Sequence, residues 1–197
     1  MRLSSIVALP AAAWLLLVQP ALASSWDIDP SHTTVGFSVR HMMVSNVRGK
    51  FTKFTGTLAF DDKDATKSTV NVDIDATSVD TSDKGRDEHL RGPDFFDTKK
   101  FPKLTFKSTK VEKSGDKLLV TGDLTIKDKT KSVVLTVEAL TPETKDAFGG
   151  VRRGATATTK INRKDFGLTW NKTLDAGGVA VSEEITIQID LELVKKK

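Results

Sequence analysis

The side chains best suited to chemistry in this sequence are three histidines, His32, His41 and His89, the last preceded by Asp87 and Glu88. A histidine beside a carboxylate is material for general acid–base catalysis, because its proton leaves near neutral pH and the carboxylate can orient it. In a hydrolytic reading Asp87 and His89 would share that work. Arg86 and Arg91 offer the same acidic groups ordinary surface ion pairs along a helix, which are worth little and imply no reaction. No Gly-x-Ser-x-Gly elbow supports a hydrolase. The histidines show neither His-x-His nor His-Glu-x-x-His spacing and there is no cysteine, so neither a metal site nor another cofactor is expected. Arg40, Arg163 and Asp165 suit a structural network: a buried arginine requires a carboxylate, and Asp165 lies two residues from Arg163. Contact between one arginine and a ligand headgroup is the alternative.

The elements that must position these groups are strands. Val35, Phe37 and Val39 alternate with polar partners, as do Phe54, Gly56, Leu58 and Phe60. Phe51 lies off that register and marks a bulge or bend beside Gly49. Further alternating runs follow through Val70, Val72 and Ile74, through Leu104 and Phe106, from Leu118 to Ile126, and from Val133 to Ala139. The last two cover 151–161, where Ala155 and Ala157 leave room on one face, and 185–193. Between the third and fourth of these eight strands the alternation stops, from Thr81 to Pro102. Ser82 or Asp83 can cap a short helix there, and Gly92-Pro93 can end it.

One apolar and one polar face on every strand, joined by short connections, predicts an all-β fold of antiparallel strands around one interior. Closure into an eight-stranded up-and-down barrel removes the exposed edges, and a two-sheet sandwich is its main rival. Strands of about ten to twelve residues give an interior on the order of 25–30 Å tall, long enough for an extended lipid tail. A barrel of this size is either packed solid or holds one small ligand, and the same residues serve both. The inward register supplies Val35, Phe37, Val39, Leu58, Val72, Ile74, Leu104, Phe106, Leu124, Val137, Ile187 and Ile189 as candidate lipid contacts. Phe95, Phe96 and Phe101 of the helical excursion would form the closed end or gate. His32 and His41 are then expected to hydrogen-bond near the mouth, with His89 holding the excursion to the wall.

The first residues have a different character. Arg2, an apolar run from Ile6 to Val18 and the small-x-small group Ala21-Leu22-Ala23 read as a secretory signal peptide over 1–23, leaving one barrel domain over 24–197. The formal charge of +4 is spread among interleaved lysines and aspartates, which gives no nucleic-acid footprint. A membrane-spanning barrel with its apolar face outward would have to hold those charges in a narrow lumen, so an inward apolar face is preferred. An exported chain without cysteine must rely on its core and sheet closure for stability.

Four segments carry a resemblance to a known family: WDIDPSHTTVGFSVRHMMVSNVRGKF, DEHLRGPDFFDTKKFPKLTFKS, VTGDLTIKDKTKSV and INRKDFGLTWN, followed by GGVAVSEE. Together they resemble the YceI-like family from Trp26 to Val194. The resemblance implies a lipocalin-like barrel exported to the periplasm, holding a polyisoprenoid or a similar amphiphilic lipid such as an isoprenoid quinone. It also implies homodimers in some members, at most transient membrane contact, an association with stress responses, and no enzymatic activity. A stress-induced binding or scaffolding module with a filled barrel stands as the alternative.

Overall fold

The computed structural model describes residues 23–196 other than Ala139 and Ala176. Apart from Ala23, the expected signal peptide lies outside the described residues. The chain forms β1 (Ser24–Ile28), β2 (Thr34–His41), β3 (Ser45–Phe51), β4 (Phe54–Phe60), β5 (Thr69–Asp75) and β6 (Val79–Asp80), then a helix α1 (Lys84–Arg91). After it come β7 (Lys103–Ser114), β8 (Lys117–Ile126), β9 (Lys129–Glu138), β10 (Thr144–Lys145), β11 (Val151–Asn162) and β12 (Val181–Lys195).

Eleven of these twelve strands, all but β10, make eight staves, because three staves are broken. β1 and β2 form one, β3 and β4 the next, β5 and β6 the third. β2 pairs with β3 and β1 with β4, while β4 pairs with β5 and β3 with β6. β5, β7, β8, β9, β11 and β12 follow in order, and β12 returns to both β1 and β2, which closes an antiparallel barrel. The expected eight-stranded barrel with a helical excursion between its third and fourth staves is therefore the fold. β10 only pairs with the start of β11 at the rim.

The breaks follow from residue parity. Phe51 and Phe54 are both buried although three residues apart, so the pleat must be interrupted between them. Ser78 ties that interruption to its neighbour: its hydroxyl accepts from the Lys53 amide at 3.0 Å, and its carbonyl accepts from the Thr52 amide at 3.1 Å. Two glycines inside staves lie under aromatic rings. A Cβ on Gly49 would stand 2.4 Å from the Phe37 ring, and one on Gly122 would stand 2.4 Å from the Phe106 ring. Each ring therefore lies flat along the wall instead of standing into the interior.

α1 forms where the sequence allows it. Asp83, not Ser82, is the cap, its carboxylate accepting from the Arg86 amide at 2.9 Å. Gly92 ends the helix, its amide bonding the His89 carbonyl at 3.0 Å, and Pro93 prevents continuation. A second ordered insertion, residues 163–171, lies between β11 and β12 at the same end of the barrel.

Candidate functional site

Inward side chains from all eight staves surround a cavity of about 600 Å³. Its size falls within the range of about 300–1,000 Å³ usual for small-molecule sites. Phe37, Val39, Leu135, Val137, Ile187 and Ile189 point inward yet are only partly buried, which a solid core would not allow. β11 creates much of this room by presenting Ala155, Ala157 and Thr159 where the neighbouring staves β9 and β12 present valine, leucine and isoleucine.

The end opposite α1 is closed by a separate apolar plug of Trp26, Leu58 and Leu193, with Trp26 and Leu193 fully buried. The Arg153 guanidinium covers it, 4.9 Å from the Phe60 ring centre and 5.6 Å from that of Trp26. At the α1 end the closure is aromatic. Phe95 packs 5.3 Å from Trp170, and the His89 ring stands edge-on to both, at 5.0 and 4.9 Å. Phe96 meets Phe51, which in turn meets Phe37.

This closure has a gap. Among the described residues, the only ones that both line the cavity and stand exposed are Gly85, Arg86 and His89, all on α1. His41, Val47 and Val181 line the cavity on the facing side and are partly exposed. The mouth therefore lies between α1 and the β2–β3 hairpin.

The charges of the excursion mostly hold it in place. Asp87 is buried, and one of its oxygens accepts from the Thr81 amide and hydroxyl at 2.8 and 2.6 Å. Arg86 donates from Nε to the Thr81 hydroxyl and from Nη2 to the Thr81 carbonyl, each at 2.8 Å. Arg91 donates to the carbonyls of Thr77 and Val79, both at 2.7 Å. His89 Nε2 meets Asp94 at 3.0 Å. Asp87 and His89 thus bond to different partners and do not form an acid–base pair.

Arg163 corrects an expectation. It is buried and lines the cavity, but Asp165 is exposed and is not its partner. The guanidinium instead donates to the carbonyls of Ser182 at 2.8 Å, Val181 at 3.4 Å and Leu168. Burial pushes its pKa down. Among the described residues Arg40 likewise pairs with no carboxylate, donating instead to the Met43 carbonyl at 3.0 Å.

His32 lies on the outer wall at the break between β1 and β2, not at the mouth. Asp29, His32 and Glu192 bring potential metal ligands within 4.8 Å of one another. Arg152 Nη1 lies 2.6 Å from both Asp29 and Glu192, so a guanidinium already stands where a cation would bind. Hydrogen bonds from Ser31, His32 and Arg152 hold the Asp29 carboxyl well below the usual range, and the bond to Asp29 raises the His32 pKa. Arg152 also bonds Asp146 at 2.8 Å and lowers its pKa. The cluster clasps β1, β11 and β12 together.

Fourteen of the fifteen expected contact residues line the cavity: Val35, Phe37, Val39, Leu58, Val72, Ile74, Phe95, Phe96, Leu104, Phe106, Leu124, Val137, Ile187 and Ile189. Phe101 does not. Its ring lies outside, with the Lys100 and Lys127 ammonium groups 5.2 and 5.9 Å from its centre. Proline follows it, and the inward alternation resumes only at Leu104. Trp170 and Arg86 belong to the site but were not among the expected contacts, and Arg163 entered only through the alternative of an arginine at a ligand headgroup. Trp170 and Arg163 come from an insertion without strand periodicity, and Arg86 comes from a short helix whose charges read as surface pairs.

Comparison with known proteins gives a consistent result. Residues 26–193 match the YceI-like domain family. Protein YceI of Escherichia coli O157:H7 is 40% identical over 195 residues, covering 98% of each chain. The crystal structure of Burkholderia cenocepacia BcnA superposes with a TM-score of 0.73 at 27% identity, covering 84% of this chain and 98% of that one. A domain from Saccharophagus degradans, described as polyisoprenoid binding, shares the fold with a TM-score of 0.63 at 16% identity, covering 89% and 99%.

Proposed function

The chain belongs to the YceI-like domain family, and from that premise we propose that it is a periplasmic carrier enclosing the tail of a polyisoprenoid or similar amphiphilic lipid. The observation that carries this reading is the apolar cavity of about 600 Å³, floored by the Trp26 plug and open beside α1. A filled scaffolding barrel does not fit such a void. The description of the Saccharophagus degradans domain as polyisoprenoid binding supports the idea that this architecture suits such a ligand.

The energetics favour a long tail. At roughly 30 Å³ per water-sized group, the cavity takes on the order of twenty carbons. Burying these contributes about 16 kcal/mol at about 0.8 kcal/mol per methylene, which exceeds an association cost of about 4–15 kcal/mol. A short tail would not offset that cost. The ligand's polar head then sits at the mouth, where Arg86, which bonds Thr81 through Nε and Nη2, offers Nη1 as a donor to a quinone or phosphate oxygen.

Native mass spectrometry of the purified protein, followed by lipid extraction, tests the proposal. The expected result is a mass increment that releases an isoprenoid lipid, or stoichiometric uptake of an added isoprenoid quinone. A clean apo mass together with no uptake would sink it.

A further inference from the structure

The tip of the β2–β3 hairpin has no role in the packing described above. Met42, Met43 and Val44 are 47, 61 and 76% exposed, forming a run of three apolar residues. Met42 and Met43 hold φ values of +49° and +61°, a left-handed conformation that glycine or asparagine adopts at less cost. Folding alone would favour a small polar turn here, so strained apolar residues at this position suggest a task outside the fold.

The tip is also held firm. The Met42 amide donates to Ala180 at 2.8 Å, the Val44 amide to His41 at 3.0 Å, and Arg40 to the Met43 carbonyl at 3.0 Å. Residues 40–50 include Arg40, Arg48 and Lys50 and no acidic residue. The same hairpin supplies His41 and Val47 to the rim of the mouth.

We propose that this hairpin docks the protein onto an anionic bilayer, inserting Met42, Met43 and Val44 among the lipids so that the mouth faces the membrane. The inference rests on the carrier reading, since a lipid cargo must leave and enter a bilayer. Three side chains are too small a patch for a typical protein interface of about 800 Å² per partner. They are enough for an interfacial anchor when cations flank them, because apolar insertion and attraction to anionic headgroups add.

The test uses vesicles of equal parts phosphatidylethanolamine and phosphatidylglycerol, the wild-type protein, and a Met43→Asn/Val44→Ser double variant. Asparagine tolerates the left-handed turn, so the hairpin is preserved. The variant is expected to co-sediment about tenfold less and to take up an isoprenoid quinone from vesicles correspondingly more slowly. Loading of the same quinone from a cyclodextrin complex should match wild type. Wild-type binding should fall with added salt and on phosphatidylcholine vesicles. Phe148→Ser, which removes an apolar side chain 96% exposed at the other end of the barrel, should leave sedimentation unchanged. Equal sedimentation of wild type and double variant, no sedimentation of wild type, or an equal loss with Phe148→Ser would overturn the proposal. Failure of both proteins to load from cyclodextrin would instead refute the carrier reading, and sedimentation would still decide the hairpin's role.

Discussion

Ala157→Leu tests whether the tail occupies the space beside β11. Ala157 is buried on the lumen face and sits in register between Ile189 of β12 and Val137 of β9. Leucine adds three carbons projecting into the cavity. If each displaces one ligand methylene worth about 0.8 kcal/mol, binding weakens by about 2.4 kcal/mol, or roughly 50-fold. The barrel itself should be no less stable, because the added group enters a void. Quenching of tryptophan fluorescence by an isoprenoid quinone reads the affinity, since Trp170 lines the cavity while Trp26 lies in the plug below it. Val134→Leu, on the exposed face of β9, is the matched control and should bind as wild type does. A folded Ala157→Leu protein with an affinity within twofold of wild type would refute the placement of the tail and the volume argument behind it.

Three further outcomes are expected. Gly122→Ala places a Cβ 2.4 Å from the Phe106 ring and 2.7 Å from the Lys107 carbonyl, so it should destabilise by about 1–3 kcal/mol in thermal unfolding. Arg163→Ala leaves the carbonyls of Leu168 and Ser182 without the guanidinium donor, while Val181 keeps its bond from Asn171, and should lower the unfolding free energy measured in denaturant by several kcal/mol at about 1–3 kcal/mol per orphaned group, whereas Lys164→Ala, at an exposed position, should not. In acid, Asp29 and Asp146 have folded pKa values below their unfolded ones, so their contribution is full above about pH 4 and disappears as pH falls through the folded values. His32 acts in the opposite sense, its contribution being full below about pH 6.5 and lost as pH rises through its raised folded pKa. Arg152→Gln should therefore flatten the acid limb of a stability-versus-pH curve measured by urea unfolding, and a limb as steep as wild type would contradict the clasp.

The staves were legible because a half-buried strand must alternate, and the alternation from Ile185 to Leu193 left no other choice of face. The break between Phe51 and Phe54 showed itself through odd spacing. The hollowness did not, since Ile187 in a lumen and Ile187 in a solid core obey the same rule, and only the joint placement of Ala155, Ala157 and Thr159 opposite larger residues decides the volume. Arg163 misled because burial of a guanidinium suggests a carboxylate, while backbone carbonyls, which every residue carries, give no signature in the sequence. Phe101 misled for a related reason: membership of an aromatic cluster says nothing about which side of the wall a residue before proline faces. The role of the excursion from Thr81 to Pro102 was visible only in part, its phenylalanines having been linked to closure while the exposed Gly85, Arg86 and His89 of α1 turned out to mark the opening.

The rings laid over Gly49 and Gly122 have a consequence for ligand choice. A flat Phe37 or Phe106 widens the bore at its level, and a side chain in place of either glycine would tip the ring inward and narrow it. Gly49 and Gly122 do not themselves border the large cavity, yet their size would set how far the proposed cargo threads past that level. Relatives of this barrel could therefore be tuned for shorter or longer tails by exchanges at positions that never touch the tail, and chain-length preference would be inherited through the wall instead of through the contact surface.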